Sequence, residues 1–404
     1  MRCAGCGPAA EAADVHPLIG HEALRRSLAR ARRAGTLPQS VLVHGAPGVG
    51  KQRLALWLAQ LVLCASPTDE GPCGACKPCR LADQIEHPDL HWYFPLPRPK
   101  GASSPQKLAE ALEAARAEAL AERRERPLQP SVGAAEPTGL YLAAAQDLRA
   151  RAHRRPSMGE RQVFVIGDAE KLTPQESSQE AANALLKLLE EPPPGTVLVL
   201  TSSEPGALLA TIRSRTLPVH LPGLPPGVIE RALVEHAGAS PDEAARAAAL
   251  ARGSLGRALG FLPEGDDMGP LEALRRQAFQ LLRAALGEAG EAGLFQRALT
   301  FPPARARTLL PLFDFLEEAL RDLAAVAAGA GEHVLHHDAR PMLEATLERA
   351  RLHPAAIVDS LRCLDEARLM AAGNVNPQLV VAGLLADLRR AWRGGGAPAA
   401  AARV

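Results

Sequence analysis

The chain has 404 residues and a formal net charge of +1, and 47% of its residues are hydrophobic. That length is enough for two or three domains, each with its own core. The near-zero net charge excludes nucleic-acid binding through overall charge and leaves such contacts to local patches. No apolar run reaches the length of a membrane span, and the first residues lack the apolar core of a signal peptide. We therefore expect a cytoplasmic protein without a membrane partner.

A glycine-rich turn carries the first motif. Residues 45–51, GAPGVGK, fit the phosphate-binding pattern G-x-x-x-x-G-K and lie between an apolar run and a segment with helical periodicity. Gly45, Gly48 and Gly50 let backbone N–H groups approach phosphates, and Lys51 would reach the terminal phosphates of ATP. The pattern predicts a cradle for a nucleotide.

The residue after this lysine departs from the pattern. Ser or Thr at that position supplies a hydroxyl to Mg²⁺, but this chain has Gln52. An amide lies farther from the backbone than a hydroxyl and cannot replace it without moving the ion. The sequence therefore predicts a loop that can bind ATP without an intact hydrolytic site.

Four of the seven cysteines lie close together in the sequence. They are Cys64, Cys73, Cys76 and Cys79, which have the spacing of a closed tetrahedral zinc site. Such a site stabilises the local fold and catalyses nothing. Four unrelated buried cysteines are the alternative, which their dense spacing in a loop disfavours.

Residues 95–139 have Pro- and Gly-rich ends around a helical segment of mixed charge. This composition is typical of an insertion or a mobile arm. We interpret the segment as a solvated excursion without a function of its own, and we expect folding to tolerate deletion of residues 100–138.

Two β-rich runs, at 161–166 and 196–203, flank a segment with helical periodicity. Strands that alternate with helices predict a parallel sheet covered on both faces. Ligands of such sheets bind beyond the carboxyl ends of the strands, where the loop 45–51, Asp168 and Ser202 would meet. The character changes at about residue 222, and an all-helical region follows from 271 to 393.

Several segments together resemble one family. In chain order they are HPLIGHEALRRSLARARRAGTLPQSVLVHGAPGVGKQ, the four-cysteine module, HPDLHW, VFVIGDAEKLTPQ, AANALLKLLEEPPPGTVLVLTSSEP, TIRSRT and NVNPQLVVAGLLADL. This set resembles the subunits of the bacterial replicative clamp loader, an AAA+ family, and most closely its delta-prime branch. The likeness covers nearly the whole chain apart from residues 95–139 and the two tails.

The resemblance implies an architecture. It consists of an α/β AAA+ P-loop core with helices on both faces of a parallel sheet, a small helical lid and an all-α C-terminal collar domain that packs subunits into a ring. The implied boundaries are a flexible tail at 1–14, the core at 15–221 with the zinc module at 64–79, the lid at 222–262, the collar at 271–393 and a disordered tail at 394–404.

The resemblance also implies roles for single residues. Motor subunits of the family carry an acidic pair that places Mg²⁺ and the attacking water, and the corresponding residues here are Gly167 and Asp168. With Gln52 as a second departure, ATP hydrolysis by this chain alone is not expected. The arginine of the family's Ser-Arg-Cys triplet reaches the ATP of a neighbouring subunit, and its counterpart here is Arg215. Ser202 and Arg257 stand at sensor positions.

Three functional hypotheses follow. The leading one is a non-hydrolysing, stator-like subunit of the clamp loader of the DNA polymerase III holoenzyme, which donates Arg215 in trans during DNA replication. Its partners would be the gamma/tau ATPase and delta subunits, with the sliding clamp and primed DNA reached through the complex. The alternatives are an active motor subunit of the same machine and a zinc-dependent DNA-binding module.

Overall fold

The computed structural model describes residues 17–101, 104–130, 138–172, 180–287, 291–303, 305–350, 352, 354–373 and 375–393. The tails expected at 1–14 and 394–404 lie outside the described residues. Contacts divide the chain into two compact units, and the second begins at Gly260. None of the described helices combines the length and apolarity needed to cross a bilayer.

The first unit alternates helices and strands. Its elements are α1 (Glu22–Arg33), β1 (Ser40–His44), α2 (Lys51–Leu63), α3 (Lys77–Asp83), β2 (Leu90–Tyr93), β3 (Leu96–Pro97), α4 (Pro105–Glu125), β4 (Thr138–Gly139), α5 (Leu142–Ala152), β5 (Gln162–Ile166), α6 (Glu180–Glu190), β6 (Thr196–Ser202), α7 (Ala210–Arg213), β7 (Leu217–His220), α8 (Pro226–Ala237), α9 (Pro241–Leu250) and α10 (Leu255–Leu259). Five strands form a parallel sheet in the order β2-β5-β6-β1-β7, and β3 pairs antiparallel with β4. The expected parallel α/β core is confirmed.

Each central strand places alternate side chains on opposite faces of the sheet. In β1, Val41 and Val43 join a core cluster with residues of α1, α2 and α3. Leu42, between them, joins a second cluster with residues of α5 and α6. Helices therefore cover both faces, and the buried strands read as continuous apolar runs because neither face meets water.

Helix α4 corrects the expectation of a solvated excursion for part of 95–139. Leu112 is buried, and Ala119 and Leu120 pack against the core cluster of α1–α3. Arg116 donates to the backbone carbonyl of Trp92 at 3.4 Å, and Arg124 donates to that of Ile85 at 2.6 Å. The mixed charge of the segment indicated a solvated helix, whereas these two arginines use their guanidinium groups to bind backbone carbonyls of the core.

The helices expected to form a lid, α8, α9 and α10, belong to the first unit by their contacts. The helices of the second unit are α11 (Pro270–Leu286), α12 (Glu291–Leu299), α13 (Leu310–Ala327), α14 (Arg340–Ala350), α15 (Pro354–Ala372) and α16 (Pro377–Arg393). Its interior holds a polar pair in which Nδ1 of the fully buried His336 lies 2.6 Å from a carboxylate oxygen of Asp322. Apart from one isolated β-bridge, the regular secondary structure in the described part of this unit is helical.

The packing of α4 gives a test of its structural role. Leu112→Ala removes a buried side chain, so we expect it to lower the free energy of unfolding by about 2–5 kcal/mol, measured by urea denaturation. Leu108→Ala, on the same helix but only half-buried, is the matched control and should cost clearly less. Equal stability of Leu112→Ala and the wild-type protein would show that α4 does not contribute to the core.

Candidate functional site

The phosphate loop begins where β1 ends, at the carboxyl edge of the sheet. The N–H of Gly45 donates to the carbonyl of Ser202 at 3.3 Å, which joins the loop to the end of β6. A Cβ at Gly45 would lie 2.3 Å from the carbonyl oxygen of Leu221, so only glycine fits there. Gly50, with φ of 103°, precedes the first residue of α2 and directs the helix N-terminus at the loop.

Lys51 is held inside the loop. Its side chain is 4% exposed, and Nζ donates to the carbonyl of Ala46 at 2.7 Å. Burial lowers the pKa of Lys51, while the carboxylates of Asp168 and Glu170 oppose that shift. The ammonium is therefore stabilised by acidic residues that follow β5.

Gln52 and Gly167, the two departures from the hydrolytic pattern, lie against each other. A Cβ built on Gly167 would lie 3.0 Å from Nε2 of Gln52. That nitrogen donates to Oδ2 of Asp168 at 3.2 Å. The Gln52 side chain therefore occupies space that a longer side chain at position 167 would need.

Arg123 of α4 is the third member of this cluster. Its Nη1 donates to Oε1 of Gln52 at 3.3 Å, and its guanidinium lies 3.9 Å from the ring centre of Phe94 and 4.7 Å from that of Trp92. Burial lowers the pKa of Arg123, and Asp168 opposes the shift. Sequence reasoning missed this residue because the segment around it was interpreted as solvated.

Asp168 is the carboxylate that all these groups share. Burial raises its pKa and Glu170 raises it further, whereas Lys51, the hydrogen bond from Gln52, and Arg123 lower it. The residue has φ of 47°, and its N–H donates to Oγ1 of Thr201 at 3.0 Å. The strand ends thus bring together the loop, Asp168 and Ser202, as the sequence predicted for this edge.

The two sensor candidates make local contacts. Ser202 is fully buried, and its Oγ accepts a hydrogen bond from the N–H of Glu204 at 3.1 Å. Nε of Arg257 donates to the carbonyl of Leu250 at 3.2 Å. Close to Arg257, the N–H of Gly256 donates to the carbonyl of Gly48 at 3.0 Å, so α10 contacts the phosphate loop directly.

Arg215 follows α7 and lies at the protein surface. Its Nη1 donates to the carbonyl of Thr211 at 2.9 Å, and its Nη2 lies 2.8 Å from Oε1 of Glu190 at the end of α6. The next residue, Thr216, is buried and donates from Oγ1 to the carbonyl of Ile212 at 3.2 Å. Thr216 anchors the backbone, and the guanidinium stays accessible at the surface.

The four predicted zinc ligands come together between α2 and α3. The sulfurs of Cys64, Cys73, Cys76 and Cys79 all lie within 4.8 Å of one another. Two pairs are separated by 3.9 and 4.0 Å, close to the edge of about 3.8 Å that four thiolates bound tetrahedrally to zinc would form. The donor set and the geometry fit a structural zinc ion.

Local hydrogen bonds prepare part of this set for metal binding. The backbone N–H of Cys76 lowers the pKa of the Cys73 thiol to about 6. The N–H of Cys73 lies 3.3 Å from Sγ of Cys64, in position to donate to it. Burial raises the pKa of Cys64 and of Cys79, so a metal would be needed to hold these two sulfurs as thiolates.

Comparisons with known proteins identify relatives of the chain. A family model described as DNA polymerase III, delta subunit, matches residues 20–225, half of the chain. DNA polymerase III subunit delta' of Pseudomonas aeruginosa is 34% identical over 205 residues, which cover 50% of this chain and 47% of the relative. The Bacillus subtilis subunit delta' is 26% identical over 345 residues, or 85% of this chain and 88% of the relative.

Among solved structures, a DNA polymerase III gamma subunit-related protein of Thermotoga maritima is similar with a TM-score of 0.35 at 17% identity, covering 91% of this chain and 99% of that chain. The match spans about half the length of the first curated relatives. The family model and the relatives named delta' confirm the resemblance found in the sequence. The chain belongs to the family of DNA polymerase III delta-prime subunits.

Proposed function

We propose that this chain is a non-hydrolysing subunit of a clamp loader of the AAA+ type, which helps to load a sliding clamp on primed DNA. The observation that carries the proposal is the contact between Gln52 and Gly167, with a Cβ at position 167 only 3.0 Å from the Gln52 amide. The hydroxyl and the first carboxylate that would hold Mg²⁺ in a motor subunit are both replaced. Losing two or three orders of magnitude from each, about 3–4 kcal/mol apiece, leaves no useful turnover.

In this proposal Arg215 acts on the ATP of a neighbouring subunit. A guanidinium is always charged and spreads several donors over phosphate oxygens, which stabilises the charge of the phosphoryl-transfer transition state. Surface exposure supports this role, because the guanidinium is held by local contacts with Glu190 and the carbonyl of Thr211 that a phosphate could replace. The ring partners would be ATPase subunits of the gamma/tau kind and a delta subunit.

The proposed roles of the remaining site residues follow from their geometry. Gly45, Gly48, Gly50 and Lys51 would hold the phosphates of ATP without hydrolysing it. One zinc ion would be held by the four clustered cysteines, stabilising the turn between α2 and α3. The boundaries of the core, lid and collar remain proposals that follow from the resemblance.

Arg215→Ala should lower the ATP turnover of the complex reconstituted with the ATPase and delta subunits. At the active site next to this subunit, loss of an arginine finger costs about a thousandfold or more in rate. Arg213→Ala, which removes another exposed arginine of α7, is the matched control and should leave turnover intact. Unchanged turnover with Arg215→Ala contradicts the proposal, and turnover by the isolated chain that Lys51→Ala abolishes favours the motor alternative.

Metal analysis should find about one zinc per chain, and Cys76→Ser should lower that content because it removes one of four ligands. Cys363→Ser is the matched control, since this half-buried cysteine lies outside the cluster. A metal-free preparation whose four clustered thiols all react normally would exclude the zinc site. DNA binding by the isolated chain that is salt-sensitive and lost with zinc would favour the alternative of a zinc-dependent DNA-binding module.

A further inference from the structure

The inserted helix α4 brings a second cation to the phosphate loop. Arg123 reaches Gln52, the residue next to the loop lysine, and its charge interacts with Asp168. The rings of Trp92 and Phe94, at the end of β2 and just beyond it, contact the guanidinium. The loop therefore lies near Lys51, which is buried, Arg123, which is half-buried, and the acidic pair Asp168 and Glu170.

The side chains at this edge do not fit Mg²⁺. The ion requires near-octahedral oxygen ligands, which in this position a hydroxyl after the lysine and a carboxylate directly after β5 would help to supply. Here both are replaced, and Gln52 fills the space beside Gly167 with its amide nitrogen. That nitrogen already donates to Asp168, and the amide oxygen already accepts from Arg123, so the carboxylate of Asp168 is engaged by a protein donor.

The hydrogen bonds fix the orientation of the Gln52 amide. Nε2 must face the carboxylate of Asp168, and Oε1 must face the guanidinium of Arg123. The reverse orientation would place two acceptors together at Asp168 and two donors together at Arg123. A guanidinium cannot be deprotonated in a protein, so the positive charge next to the loop is permanent. It opposes the entry of a divalent cation and attracts an anion.

We propose that Arg123 takes the place of Mg²⁺ as the second cation of the phosphate loop, so that the site binds a nucleoside triphosphate without a divalent ion. Arg123 and Lys51 together supply two positive charges, and the N-terminus of α2 adds its backbone donors. Lys51 would exchange its hydrogen bond to the carbonyl of Ala46 for one to a phosphate oxygen. The inference rests on the proposed role of the loop and is independent of Arg215.

The first test needs no variant. The full-length zinc-loaded protein is titrated with a fluorescent ATP analogue, once in excess EDTA and once in excess Mg²⁺. Exposure to EDTA is kept short so that the zinc stays bound. The two Kd values should agree to within about twofold. Dialysis against a Mg²⁺-free buffer gives the same comparison without a chelator. Binding at least tenfold tighter with Mg²⁺, about 1.4 kcal/mol, overturns the proposal. If the analogue binds in neither buffer, the proposal is also overturned. The proposed role of Arg215 does not depend on this result.

The second test removes the cation. Arg123→Gln should weaken Mg²⁺-free binding about tenfold or more, and Arg123→Lys should restore part of the loss because it keeps the charge. Arg124→Gln is the matched control, since it removes the same charge from the next residue, whose guanidinium contacts the carbonyl of Ile85. Wild-type affinity in Arg123→Gln contradicts the proposal. Thermal unfolding of each variant identifies a folding defect, in which case the wild-type comparison decides.

Discussion

A charged side chain that leaves water needs a partner of opposite charge, and the carboxyl edge of the sheet gathers Lys51, Arg123 and Asp168 in one place. Burial destabilises the charged form of each of them. Asp168 offsets that cost for Lys51 and Arg123, and the two cations offset it for Asp168. These side chains come from α2, α4 and the turn after β5. The attraction between these charges therefore connects three segments of the chain.

Because of this constraint, residues that lie far apart in the sequence form one connected set of contacts. Gly167 leaves room for the side chain of Gln52, and the amide of Gln52 bridges Asp168 and Arg123. A side chain at position 167 would require the Gln52 amide to shift, and a carboxylate there would add to the negative charge of Asp168 and Glu170. The departures from the hydrolytic pattern and helix α4 thus meet through Gln52, while Leu112, Ala119 and Leu120 supply the apolar packing of the helix.

The sequence predicted the features that depend on short-range patterns. The glycines of the phosphate loop, the four clustered cysteines and the two β-rich runs each have fixed spacing, and the structure gathers them as expected. The packing of α4 could not be predicted from composition, because Pro- and Gly-rich ends do not indicate which face of the helix between them packs against the core. Leu112, Arg116, Leu120 and Arg123 recur at helical spacing, and this stripe was the available signal. Trp92 and Phe94, which contact Arg123, lie about 30 residues earlier in the sequence, so local periodicity could not identify them.

The ion pair between Arg215 and Glu190 is weaker than the interactions among Lys51, Asp168 and Arg123. Both side chains are at least one-third exposed, and such pairs contribute about 0–1 kcal/mol because water competes for both charges. A triphosphate offers a guanidinium several charge-assisted hydrogen bonds, each worth about 1.5–3 kcal/mol. The Glu190 contact can therefore orient the proposed finger without retaining it. The charges near Lys51 are held by several partners, while the guanidinium of Arg215 stays accessible at the surface.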